Sequence, residues 1–158
     1  MQASGMTSAS RWAMAVWLLS AVACSPFLPS DKAGLMEAMG SNDMAVNFSA
    51  ARKFDRLFGT QGLLEALEHH NANTRAVAAH VLMDRPGPEV EAALIARATD
   101  SDEYVRMWCA FSLGKIGSAS ARPVLERLAH DKSEVVSRRA AESLEELQAR
   151  LGGTSGAG

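Results

Sequence analysis

Three stretches of this chain align without gaps at a spacing of 31 residues, and that period constrains its fold more than any other feature. They run from Leu63 to Leu82 (LLEALEHHNANTRAVAAHVL), from Leu94 to Leu113 (LIARATDSDEYVRMWCAFSL) and from Leu125 to Leu144 (LERLAHDKSEVVSRRAAESL). The offset brings Leu63, Leu94 and Leu125 into register, then Leu67, Ala98 and Ala129, then Ala79, Ala110 and Ala141, then Leu82, Leu113 and Leu144. A weaker copy precedes them at a spacing of 28, from Leu35 to Phe54, in which LMEAM echoes LLEAL. Its Ala51 and Phe54 take the small and the terminal apolar positions. A period of this length marks a repeat architecture, because one unit cannot bury its own apolar face and neighbours must stack to supply the core.

Within each copy the pattern is a helical hairpin. Leu94, Ile95 and Ala98 give a short first helix, and the polar turn Asp100-Ser101-Asp102 offers acceptors to the free N–H groups of the second. The second helix carries small residues (Cys109, Ala110) where helices approach, then Leu113, with Gly114 and Gly117 placed to stop it. Aromatic residues are only 6% of the chain, which favours close-packed helices over strands. The expected fold is all-α, an α-solenoid of about four hairpins over residues 34–151, with repeats 1 to 4 at about 34–59, 62–87, 91–117 and 121–151. The shorter first spacing fits a connector shorter than the Pro86-Gly87-Pro88 turn. The charged helix from Glu134 to about Leu151 reads as a polar cap, and residues 152–158 as a disordered tail. A net charge of -2 argues against a nucleic-acid partner, which would need a basic excess.

The third repeat also carries a motif. Val105-Arg106, two variable residues, Cys109-Ala110, Phe111, Ser112 and then Leu113-Gly114-Lys115-Ile116-Gly117 resemble the HEAT repeat, in particular the short bacterial type also found in phycobilisome lyases. The resemblance spans roughly Leu35 to Leu147 and implies stacked hairpins that bind partners on a concave face. It implies that Arg75 and Arg106 brace one hairpin against the acidic turn of the next. It also leaves a second function to weigh, a lyase-like enzyme or chromophore chaperone. Iron-dependent hydroxylases built on such repeats carry His-Glu pairs, and no histidine of this chain is followed by glutamate.

The N-terminus reads as an address. Arg11 precedes the uncharged run Trp12 to Ala23, which at twelve residues is about 18 Å of helix and too short to span a bilayer. A single positive charge, a short apolar core and small residues at its exit make an export signal over residues 1–23. Ala21-Val22-Ala23-Cys24 resembles the lipobox of bacterial lipoproteins, which implies a lipid on Cys24 and membrane attachment. Ser25 in place of Asp resembles the outer-membrane sorting class. The same Ala21-Val22-Ala23 also fits ordinary signal peptidase, which would leave a soluble periplasmic or secreted protein. Residues 24–33, with prolines 26 and 29, read as the lipidated cysteine and a tether.

The function expected is that of a non-catalytic scaffold binding a protein partner in the cell envelope. Tyr104, Trp108 and Phe111 share one helical face with Met107 beside them, and His80 lies one period before Phe111. These five residues are the candidate partner-binding group, since a rigid Tyr, Trp and Met cluster has the composition of a binding anchor. The alternative is that the aromatics pack on the proline tether or on Phe48. No cofactor and no metal is expected: His69 and His70 lie in one turn and His130 in another, about 20 Å away. Cys109 has no periodic base beside it and reads as a packing residue, not a nucleophile.

Overall fold

Short acceptor side chains set where the helices begin. Asp31 accepts from the Gly34 N–H at 2.8 Å, Asp43 from Ala45 at 2.8 Å, Asn71 from Asn73 at 2.8 Å and Asp102 from Tyr104 at 2.9 Å. Each satisfies a donor that the helix itself leaves open. A computed structural model describes residues 28–153 and places seven α-helices on them. They are α1 (Lys32–Met39), α2 (Met44–Ala66), α3 (Ala72–Val81), α4 (Pro88–Arg97), α5 (Glu103–Ile116), α6 (Arg122–Leu128) and α7 (Glu134–Gly153). There is no strand among the described residues, and no helix there is long and apolar enough to cross a membrane. The fold is the all-α solenoid that the period implies. Cys24 and the export signal lie outside the described residues.

The junction between repeats 1 and 2 is tighter than a short connector. Helix α2 runs through both, serving as second helix of repeat 1 and first helix of repeat 2, and it is broken only at Gly59 (φ 57°, ψ −155°). That backbone is open to glycine and strained for any L-residue, while a Cβ there would meet nothing within 4 Å. Gly59→Ala is therefore expected to lower stability by about 1–3 kcal/mol through backbone strain alone. Chemical denaturation measures it, and an unchanged midpoint would mean that the junction relaxes to ordinary helix.

The core follows the register of the repeat. Leu63, Leu94 and Leu125 are fully buried, as are Leu82 and Leu113, with Ala78, Ala79, Cys109 and Ala110 where the helices meet. The register fails in repeat 4, where Ala141 is exposed and Leu144 half-buried, while Ala140 and Leu147 are buried. Nothing follows α7 among the described residues, so positions that would meet a next repeat face outward. Gly114 differs from expectation too. It sits inside α5, and Gly117 alone caps the helix. A Cβ on Gly114 would lie 2.7 Å from Ser143 Cβ, so α5 and α7 approach closely at this residue. The end of the expected tether is docked: Lys53 donates to the Leu28 carbonyl at 3.0 Å and to Ser30 at 3.1 Å.

Two identical clamps tie the repeats together. Arg75 gives two bonds of 2.8 Å to the Asp100 carboxylate and two of 2.9 Å to the carbonyls of His69 and His70. Arg106 does the same to Asp131, at 2.8 and 2.9 Å, and to the carbonyls of Asp100 and Ser101, at 2.9 and 3.0 Å. Planar guanidinium matches carboxylate in this way, and it also answers the carbonyls of its own turn. Burial raises the Asp100 carboxyl, but the bonds from Arg75 and the Asp102 N–H outweigh it and hold the group below its ordinary value. The arginines are braces, as the resemblance implied.

Candidate functional site

The second helices line one face of the stack, and aromatic side chains cross it from repeat to repeat. Phe48 on α2 meets His80 on α3 edge-on, with ring centroids 6.0 Å apart. His80 lies against Trp108 on α5 at 4.2 Å, and Trp108 meets Phe111 edge-on at 5.6 Å. The row ends under two cations, Arg139 of α7 at 5.0 Å and Lys115 at 5.4 Å from the Phe111 ring centre. Every repeat thus contributes to one line of rings and cations.

Two hollows flank the Phe48–His80 pair. The first, about 470 Å³, is lined by Met44, Asn47, Phe48, Asn73, Tyr104 and Trp108, among others. The second, about 440 Å³, is lined by Phe48, Arg52, Asp55, His80, Met83 and Asp84, among others. Tyr104 is 55% exposed and Met44 71% exposed, so the mouth of the first hollow presents large apolar groups to solvent.

Four of the five sequence-selected residues are brought together here. Tyr104 and Trp108 wall the first hollow, His80 walls the second, and Phe111 closes the row beside Trp108. Met107 lines neither hollow and packs half-buried on the core. Phe48 enters the site as a full member, touching His80 and lining both hollows, where the sequence offered it only as a packing partner. The repeat alignment hid it, because at the spacing of 28 Phe48 falls opposite Ala76.

Two titratable groups on or beside this face are shaped by burial. Burial lowers the basicity of His80, with the Asp84 charge pulling the other way, and its buried Nδ1 has no hydrogen-bond partner. Cys109 is fully buried, and burial pushes its thiol up to about 12, which disfavours the thiolate that nucleophilic attack needs. A separate cluster on another turn brings His69, His70 and Glu37 within reach of one another.

The comparisons agree with this architecture. The family description "HEAT repeats" matches residues 60–145, more than half of the chain. Among solved structures, human deoxyhypusine hydroxylase in complex with glycerol is similar, with a TM-score of 0.59 and 21% identity over 85% of this chain. The chain spans about half of that protein, 53%, and at this identity the likeness shows the fold alone. No functionally curated protein matches the chain in sequence.

Proposed function

The chain belongs to the HEAT-repeat family, and on that premise we propose that it is a non-catalytic interaction scaffold of the bacterial cell envelope. A protein partner docks on the face of the second helices, and a lipid on Cys24 holds the scaffold to the periplasmic side of the outer membrane. The observation that carries the docking face is the row Phe48, His80, Trp108 and Phe111, flanked by two hollows and by exposed Tyr104. A stack of hairpins holds these rings rigidly, so a partner loses little side-chain freedom of the scaffold on binding. Aromatic anchors beside hollows are where binding energy concentrates. The membrane attachment rests on the apolar run and small-residue exit before Cys24.

Crosslinked recovery from the native envelope tests the docking face. A protein retained by the wild type is expected to be lost when Trp108→Ser and Phe111→Ser are combined in a variant shown to be equally helical. Equal recovery by both proteins would refute the aromatic face as the docking site. Mass spectrometry of the N-terminal peptide checks the anchor, which predicts diacylglycerol on Cys24.

A further inference from the structure

The joint between repeats 1 and 2 lacks the clamp that ties the other repeats. One repeat before Arg75 the brace position holds Asn47, and one repeat before Asp100 the acidic position holds His69. Asn47 uses its amide within its own turn, donating to the carbonyls of Met39 and Ser41. Where the other joints have a carboxylate facing a guanidinium, this one has two consecutive histidines facing Glu37 of α1. The Nε2 atoms of His69 and His70 lie 3.4 and 3.7 Å from the same carboxylate oxygen, and the rings lie 4.2 Å apart.

We propose that Glu37, His69 and His70 bind a divalent transition-metal ion of the zinc class, which ties α1 to the first turn of repeat 2. The potential ligand atoms all lie within 4.8 Å of one another. Metal–ligand bonds of about 2.0–2.1 Å at tetrahedral angles place ligand atoms about 3.3 Å apart, close to the two spacings observed. Two imidazoles and one carboxylate suit zinc, nickel or cobalt, whereas magnesium and calcium take oxygen ligands. The backbone of the pair is already fixed, since Arg75 holds the carbonyls of both histidines at 2.9 Å. Glu37 and His70 are exposed, leaving room for water on the remaining side of the ion.

Coordination carries one opposing term. His69 Nδ1 accepts a long bond of 3.3 Å from the Asn71 N–H, so metal on Nε2 moves the ring proton to Nδ1 and releases that bond. This weakens affinity, because two N–H donors then face each other across that gap. The three residues line neither hollow, so the metal site stands apart from the proposed docking face. The histidines of different turns stay too far apart to share an ion, as their spacing implies; the third ligand is instead a carboxylate from the neighbouring helix.

Calorimetric titration of the full chain with zinc chloride, and separately with nickel chloride, tests the proposal. One ion per chain is expected, bound at least about tenfold more weakly by Glu37→Gln and by His70→Ala, and with unchanged affinity by His130→Ala. Zinc is expected to raise the thermal midpoint of the wild type and not that of the two ligand variants. Cobalt(II) substitution reports nitrogen and oxygen ligation by its absorption spectrum, separating this site from the cysteine thiols. No stoichiometric binding, a thiolate spectrum, or binding untouched by both ligand substitutions would overturn the site. All these substitutions are at exposed positions, so circular dichroism suffices to show that each variant is folded.

Discussion

Replacing Arg106 with alanine is expected to lower stability by about 3–5 kcal/mol, because it strands a carboxylate and two carbonyls at one joint. The arginine is 6% exposed and its partner Asp131 sits at 11% side-chain exposure, so water replaces little of what is lost. Arg106→Lys is expected to recover only part, since an ammonium cannot make two parallel bonds to Asp131 while reaching the Asp100 and Ser101 carbonyls. Acid gives a second readout. The bonds from Arg106 hold the Asp131 carboxyl below its ordinary value of 3.8, with burial opposing them. A lowered carboxyl contributes stability that is complete above its unfolded value and is lost as pH falls through the folded one. The gap between wild type and Arg106→Ala should therefore narrow below about pH 4. Urea midpoints at neutral pH and about pH 3 measure both effects; a gap that stays constant would mean that Asp131 is not the group stranded.

Gly114→Val should also be severe, for a different reason. A Cβ at this site would stand 2.7 Å from Ser143 Cβ and 2.9 Å from Ser143 Cα, so helices α5 and α7 must separate to admit a side chain. Overpacking of this kind costs about 1–3 kcal/mol, and the branched side chain is expected at the upper end. Gly114→Ala should be milder, because alanine returns roughly 0.5–1 kcal/mol of helix preference. Combining Gly114→Ala with Ser143→Gly should recover part of the loss, because the serine side chain is then gone while the backbone of α7 still stands close. Strict additivity of the two substitutions in denaturation would show that the helices do not meet there.

The stack was legible in sequence because the period is a property of the core. Leu63, Leu94 and Leu125 recur since each fills the same space between hairpins, and any helix that moved out of register would expose its share. Arg75 and Arg106 were legible for the same reason, as each repeats an interaction that the joint requires. Gly114 was misread because a glycine near a helix end has two uses, stopping the helix or admitting a neighbour, and the choice lies with Ser143, 29 positions away. Phe48 and Glu37 were hidden because their partners are the odd members of their register: His80 stands where the next repeat has Phe111, and His69 and His70 stand where it has Asp100 and Ser101. Repetition reveals what every unit shares and is silent about what one unit does alone.

Gly59 has a consequence for how the chain tolerates changes in length. A loop between helices, such as that around Gly87, absorbs an added or deleted residue by rearranging. A junction made of one residue between two helices has no slack, so one insertion advances the following helix by about 100° around its axis. The Phe48–His80 pair straddles this junction, since Phe48 precedes Gly59 and His80 follows it. The first hairpin is thus phase-locked to the rest of the array. Its share of the aromatic row can be altered by substitution but not by insertion at the junction, which would turn Phe48 away from its neighbours.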